Sequence, residues 1–215
     1  AYLKVVVFYH LLKFNFKTAS FTNILHLNIY LCLYMKHTIF LLLPWLLMAQ
    51  TEEQTYEVVQ TKSDFEIRYY PPVMMAAYVS NSNNSSGFRS LFRYISGSNQ
   101  SQTKIAMTTP VHMEKQEQGS SMAFVLPKKF DSKTTPLPSD SQVKVYEAKG
   151  GYYASMRYSG YTNETKEKNY TAQLKTSLEK EGIEIAGSPK VFVYNSPFSF
   201  LNRRNEVSFP IVWKE

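Results

Sequence analysis

Short runs of alternating apolar and polar residues, interrupted twice by helical periodicity, are the feature that most restricts how this chain can fold. Side chains alternate between the two faces of a strand, so such runs predict strands with one buried face. Apolar residues recur at helical spacing in Phe88, Leu91, Phe92 and Ile95, and again in Tyr170, Leu174 and Leu178. The alternating runs predict strands at 56–59, 65–70, 73–79, 104–111, 122–126, 143–146, 152–158, 191–194 and 206–213.

The order of these elements repeats along the chain. Each half reads strands, helix, strands, and the two predicted helices lie about 80 residues apart. This order indicates a duplicated unit packed about a pseudo-twofold axis. The fold class predicted from the pattern is therefore α+β: a single domain with an antiparallel sheet curled toward a barrel and two helices outside it.

The first fifty residues read as material that precedes the folded domain. Met35 is the first methionine, and a short basic start is followed by the apolar segment 38–48 and the small residue Ala49. This pattern is typical of a secretory signal peptide over 35–50. Residues 1–34 are then interpreted as lying upstream of the true start, and 51–215 as an exported domain, periplasmic or secreted. The alternative is a membrane anchor formed by 21–48.

Charge argues against nucleic acid as a partner. The chain has 24 Lys and Arg against 17 Asp and Glu, a net charge of +7, but four of the lysines and none of the acids lie before residue 51. The predicted mature domain has a balance of only +3, which describes an ordinary surface rather than a polyanion-binding or membrane-binding one. The single cysteine, Cys32, also lies before it, so no disulfide or cysteine metal site is expected there.

Catalytic signatures are absent from the sequence. There is no G-x-S-x-G, H-E-x-x-H, P-loop or G-x-G-x-x-G string, and His112 is the only histidine after residue 50. A Ser-His-Asp triad or a two-histidine zinc site is therefore not expected, and His112 is interpreted as structural. The hypothesis of an enzyme stays open only through Glu and Tyr side chains at a barrel mouth. Alternation turns most of its candidate acids outward; they are Glu57, Glu66, Glu147 and Glu206.

Three groups of strings carry a family resemblance that covers residues 55–213. Together they resemble the SOUL haem-binding family, in the same order and with the same spacing. This resemblance implies a distorted eight-stranded antiparallel barrel flanked by two helices, and non-covalent binding of haem or another tetrapyrrole without enzymatic turnover. The strings are YEVV at 56–59 with FEIRYY at 65–70, RYISGSN at 93–99 with KIAMTTPV at 104–111, and YNSPF at 194–198 with LNRRNEV at 201–207.

The resemblance also implies a site against the first helix. The positions that match the family's haem-contacting side chains are Ser85, Phe88 and Phe92, and the position of a histidine iron ligand in some members is Tyr69 here. A tyrosinate can ligate ferric haem, so Tyr69 is the candidate metal ligand. The alternative is a hydrophobic groove that accepts the porphyrin face without an iron bond, or a fold of this type that binds another amphipathic molecule or a protein partner.

Three further residues complete the predicted site. Arg89 and Arg93 lie beside the aromatic stripe and could pair the carboxylates of an amphipathic ligand. Met107 belongs to a set of methionines on predicted strands, which suits either a pocket for a flat apolar ligand or an ordinary core. The string at 203–206 is instead expected to be structural, with Asn205 or Glu206 tying the last loop to neighbouring backbone.

Overall fold

The structure is a computed structural model that describes residues 51–80, 86–116 and 119–214. Residues from Thr51 to Glu215 form one compact unit by themselves. The predicted signal peptide, the predicted anchor and Ser85 lie outside the described residues. Of the two described helices, neither is long and apolar enough to cross a membrane.

Eleven strands and two helices make up the described part of the chain. In chain order they are β1 (Glu52–Glu53), β2 (Glu57–Thr61), β3 (Glu66–Tyr70), β4 (Val73–Ser80), α1 (Ser86–Ile95), β5 (Thr108–Thr109), β6 (Val111–Gln116), β7 (Gly119–Val125), β8 (Val143–Ala148), β9 (Gly151–Ser159), α2 (Glu164–Lys180), β10 (Lys190–Val193) and β11 (Arg204–Pro210).

The predicted strand at 104–111 is wrong over its first four residues. Only Thr108, Thr109 and Val111 of that run belong to strands. The backbone N–H of Ile105 donates to the carbonyl of Ile95 at the end of α1, at 2.8 Å, instead of to a neighbouring strand. The alternating pattern therefore predicted correctly which side chains of this run are buried. It did not predict which groups the backbone of the run hydrogen-bonds to.

Nine strands form one curled antiparallel sheet, a half-barrel in the order β2-β3-β9-β11-β10-β6-β7-β4-β8. Without β2 the order is symmetric about the β10–β6 pair. Counting outward from that pair, β11 corresponds to β7, β9 corresponds to β4, and the outer strand β3 corresponds to β8. The predicted duplication is thus confirmed, and its eight related strands are joined by β2 as a ninth; β1 and β5 form a separate parallel pair.

The helices each cover one half of the same face of the sheet, which we call the helix face. Leu91, Tyr94 and Ile95 of α1 pack with residues of β4 and β7 in one buried cluster. Leu174 and Leu178 of α2 pack with residues of β3, β9 and β11 in a second. The two clusters leave the middle of the helix face, over β6 and β10, between them.

The ends of both helices follow from local sequence. The side chain of Asn163 caps α2 by accepting a hydrogen bond from the backbone N–H of Lys166 at 2.9 Å. Beyond α1 the chain reverses at Gly97, whose φ of 110° lies in the left-handed region that glycine adopts without a Cβ penalty.

Candidate functional site

Two phenylalanines of α1 are exposed although the helix is short and well packed. The exposed fractions are 40% for Phe88 and 50% for Phe92, and their rings stack with centroids 6.0 Å apart and planes inclined by 12°. Leu91 and Ile95, the other members of the stripe, are buried. The stripe is therefore wide enough to divide between the core and an exposed apolar edge.

The aromatic pair faces the middle of the sheet. The ring of Phe88 meets Phe124 of β7 edge to face, with centroids 5.5 Å apart. Arg93, on the other flank of α1, approaches Asp140 before the edge strand β8 at 3.9 Å. Phe88 and Phe92 therefore lie on the flank of α1 that faces away from β8, and neither is among the residues that line the groove on the helix face.

This groove, of about 870 Å³, occupies the middle of the helix face and begins at Gly87, next to Phe88. Its floor is a row of cross-strand partners, in which Tyr78 lies opposite Met122, Met122 opposite Met113, and Met113 opposite Val191. Ligand sites in proteins span roughly 300–1,000 Å³ and are mostly apolar. This helix-face groove is therefore large enough for a small organic molecule, and methionines give it an adaptable floor.

Charged side chains of α2 and β6 form one rim of the groove. Lys115 pairs with Glu167 at 3.2 Å and Glu164 at 3.7 Å, and Lys168 pairs with Glu164 at 3.4 Å. Lys175 also lines the groove and makes no ion pair with another residue in the described part of the chain. The glutamates offset two of the three lysines on this rim, so Lys175 is its cation best placed to meet an acidic group of an amphipathic ligand.

His112 lies on the opposite face of the sheet, away from the groove. Its Nε2 is 2.9 Å from Oε1 of Gln54, and its ring lies 4.1 Å from that of Phe192. Burial, and to a lesser extent the charge of Lys190, lowers the pKa of His112 to about 3, so the imidazole is neutral at physiological pH. The sequence-based interpretation of a structural histidine is confirmed.

Side chains that could ligate a metal ion do not cluster within residues 51–80, 86–116 and 119–214. No group of three or more His, Cys, Asp or Glu side chains in these ranges could hold a metal ion.

Comparison with known proteins identifies the family. The model of the SOUL heme-binding protein family matches residues 51–210, which is most of the chain. The chain belongs to the SOUL heme-binding protein family. Heme-binding protein 2 from Homo sapiens is 30% identical over 163 residues, which cover 66% of this chain and 76% of that protein.

Three other similarities, to one protein sequence and two solved structures, support less. Heme-binding protein 1 from Sus scrofa is 32% identical over 126 residues, 54% of this chain, and the match spans only 65% of that relative's length. A solved structure described as a hydrolase from Listeria innocua has a TM-score of 0.52 at 10% identity, and covers 72% of this chain and 94% of its own. The EcmrR C-terminal domain has a TM-score of 0.52 at 12% identity, with 73% and 98% covered. At these identities the structural matches show a shared fold alone.

The structure brings together some, but not all, of the α1 residues that were predicted to form the haem site. Phe88 and Phe92 lie together, Arg89 is exposed on the same helix, and Arg93 is turned toward Asp140. Met107 precedes β5 and packs, half-buried, against the core cluster beneath α1. Met107 therefore supports the helix from below and does not line the groove.

Tyr69, the candidate iron ligand, lies in the other half of the sheet. It is a half-buried residue of β3, and its ring contacts that of Tyr152 on β9 with centroids 5.1 Å apart. Four strands separate β3 from β7, on which Phe88 packs. No contact between described residues joins Tyr69 to α1, so the sheet carries the two parts of the predicted site on different halves.

Sequence reasoning missed a buried charged cluster on the face opposite the helices. Arg68 donates to both carboxylate oxygens of Glu206, at 2.7 and 3.2 Å, and Arg204 and Tyr194 donate to the same carboxylate at 2.9 and 2.8 Å. Glu206 is fully buried, contrary to the outward direction expected for most strand acids. The available signal was Arg68 itself, a charge inside the short apolar run 65–70.

The closing string at 203–206 is structural, as predicted. Nδ2 of the buried Asn205 donates to the carbonyl of Gly160 at 2.7 Å, which ties the start of β11 to the end of β9. Glu206 is held by side chains rather than by backbone. The string thus joins the last loop to the sheet.

Proposed function

We propose that this protein binds haem or a related tetrapyrrole, non-covalently and without turnover, in the helix-face groove beside α1. The observation that carries the proposal is the stacked, half-exposed pair Phe88 and Phe92 on α1, next to Gly87, where a groove of about 870 Å³ begins in this SOUL-family chain. A monomeric protein gains no stability by exposing two stacked aromatic rings, whereas a flat apolar ligand can cover both.

The chemistry of the groove matches the two parts of a tetrapyrrole. Met113 and Met122 offer polarisable, flexible contacts to the macrocycle, and the phenylalanine rings offer a flat edge. Lys175 and the exposed Arg89 supply cations for the carboxylates at its periphery. Bound haem would bring its own iron, and the groove residues would orient it and keep water from one face.

The proposal does not require an iron bond from Tyr69, because Tyr69 belongs to the other half of the sheet. A Tyr69→Phe variant separates the two modes of binding. If the groove alone binds, the hemin affinity and the visible spectrum of the complex stay as in the parent protein. If Tyr69 ligates ferric iron, the tyrosinate charge-transfer absorption disappears and the Soret band shifts.

Hemin titration of the compact unit, residues 51–215, is the direct test. We expect a shifted Soret band and quenching of Trp213 fluorescence with saturable binding at micromolar hemin. Covering the exposed part of one phenylalanine buries about 80–100 Å² and contributes about 2 kcal/mol. Phe88→Ala and Phe92→Ala should each weaken binding by about tenfold or more.

Leu137→Ala is the matched control, because Leu137 is 61% exposed in the long connection before β8. This variant should bind hemin as the parent does. Equal affinity of Phe88→Ala, Phe92→Ala and the parent would contradict the site. Absence of a Soret shift in the parent, together with another amphipathic molecule found by mass spectrometry of the purified protein, would contradict tetrapyrrole as the ligand.

We further propose that the protein buffers or carries its ligand outside the cytoplasm. The support is the signal-peptide pattern at 35–50 together with a following domain free of cysteine. The mature amino terminus should then lie between Gln50 and Glu53. Mass spectrometry of the exported fraction tests this, and a chain that still begins at Met35 would contradict it.

A further inference from the structure

The loop between β10 and β11 exposes three large apolar side chains. Phe198, Phe200 and Leu201 are 84%, 80% and 82% exposed, more than any other large hydrophobic residue in the described part of the chain. We call residues 195–202 the apolar loop. Single exposed apolar residues are ordinary on protein surfaces, but three within four positions form a patch that water solvates poorly.

The backbone of the apolar loop is fixed from below by Arg203. Nη1 of Arg203 donates to the carbonyls of Ser196 and Ser199, each at 2.8 Å, and the guanidinium lies 4.2 Å from the centre of the Tyr161 ring. The Tyr161 hydroxyl donates to the carbonyl of Pro197 at 3.3 Å. Arg203 is itself buried, so the loop is held on a built support that keeps its apolar side chains pointing outward.

The composition of the loop selects among partners. Residues 195–202 read NSPFSFLN and contain no acidic or basic side chain. Insertion into a lipid surface would therefore desolvate no charge, and phenylalanine and leucine suit the boundary between headgroups and acyl chains. An uncharged tip gains nothing from anionic headgroups, so the surface it fits is apolar and zwitterionic.

Area argues against a second copy of the chain as the partner. Three such side chains, about four-fifths exposed, offer roughly 500 Å². A stable protein interface buries about 800 Å² on each partner. A projecting tip of this size is too small for a dimer but needs no matching surface to enter a bilayer interface.

We propose that the apolar loop inserts Phe198, Phe200 and Leu201 into the interface of a lipid membrane and holds the domain on it. The proposal is independent of tetrapyrrole binding. It concerns a loop beyond the end of β10, whereas the residues that line the helix-face groove from β10 lie at its start.

Flotation with phosphatidylcholine vesicles tests the proposal on residues 51–215, since the apolar sequence before residue 51 could bind vesicles independently. We expect the parent to float with the vesicles and binding to be unchanged between 0.1 and 0.5 M NaCl. Each side chain transferred from water contributes about tenfold in partitioning. The triple variant F198S/F200S/L201S should therefore lose binding by about 100-fold or more.

Leu137→Ser, which removes an exposed leucine elsewhere, should bind vesicles as the parent does. Melting curves of all variants check folding, and the single variant Phe198→Ser, with an expected loss of about tenfold, is measured if the triple variant unfolds. Equal flotation of parent and loop variant overturns the proposal, and so does binding that needs anionic lipid and disappears with salt. Loss of hemin affinity or of a concentration-dependent dimer in the variant, with no change in flotation, would assign the loop to the ligand or to a second copy instead.

Discussion

Replacing Glu206 by glutamine should cause a large loss of stability. The carboxylate is fully buried and accepts four hydrogen bonds, two from Arg68 and one each from Arg204 and Tyr194. Arg68 is only 4% exposed. Glutamine keeps the shape but leaves the buried guanidinium of Arg68 with only the partly exposed Glu66 as a counter-charge, and it turns an N–H donor toward another donor.

The magnitude follows from this burial. Removing one partner of a buried ion pair costs about 3–5 kcal/mol, because the remaining charge stays desolvated. At roughly 2–4 °C per kcal/mol for a domain of this size, the melting temperature should fall by about 6–20 °C. The expected loss is comparable to much of the total stability of an ordinary domain, about 5–15 kcal/mol.

Chemical denaturation of residues 51–215 measures this loss, with Glu66→Gln as the matched control. Glu66 contacts the same arginine at 2.7 Å, but its side chain is 35% exposed. Water screens the pair on the Glu66 side, so Glu66→Gln should cost clearly less than Glu206→Gln. The reasoning is wrong if the free energy of unfolding falls by similar, small amounts in Glu206→Gln and Glu66→Gln. The buried carboxylate would then not be the main group that neutralises Arg68.

The contribution of Glu206 to stability should also appear when the pH is lowered. Burial by itself would raise the pKa of Glu206, but the hydrogen bonds and charges of Arg68 and Arg204 outweigh it and hold the pKa below its usual value. A depressed folded-state pKa gives stability that is present above the unfolded-state value and is lost as pH falls through the folded-state value. The parent should therefore lose stability below about pH 4.5 more steeply than Glu206→Gln does.

Three further predictions use the same unfolding assay. Phe92→Ala should cost less than about 1.5 kcal/mol because half of the ring is already exposed, whereas Leu91→Ala, which empties a fully buried site, should cost about 2–5 kcal/mol; equal losses would return Phe92 to the core. Asn205→Ala should lower the melting temperature by removing the bond to Gly160, with hemin affinity unchanged, and the reverse pattern would assign Asn205 to the ligand. Because burial lowers the pKa of His112 to about 3, the unfolded chain takes up the proton first as pH falls below about 6.5; stability should drop by about 1.4 kcal/mol per pH unit there, and His112→Gln should abolish that slope.

Local pattern predicted both helices and most of the strands of this protein, although residues 104–107 are not a strand. Spacing predicted the apolar stripe of α1, and the structure divides it, with Leu91 and Ile95 buried and Phe88 and Phe92 on the exposed edge. The asparagine cap of α2 and the glycine reversal after α1 are likewise properties of a few adjacent residues. Such features depend on helix and strand geometry, which is the same in every protein.

Strand pairing was beyond the sequence, because alternation states which face is buried and not which strand lies alongside. Only the register shows that Tyr78, Met122, Met113 and Val191 form one row, and that the helices leave part of this row open. The same sheet order places four strands between β3, which carries Tyr69, and β7 under Phe88, although the resemblance joins the two residues in one site.

By itself the sequence determined the fold class, the duplication and the two helical stripes of this protein. Only the tertiary structure decided that Arg68 and Glu206, 138 residues apart, meet in one buried pair, and that Phe198 is displayed on a support built by Arg203. The physical reason is the range of the interactions. Periodicity reports forces between neighbours along the chain, whereas a buried charge or an exposed apolar tip is stable only through partners that the folding of the whole sheet brings beside it.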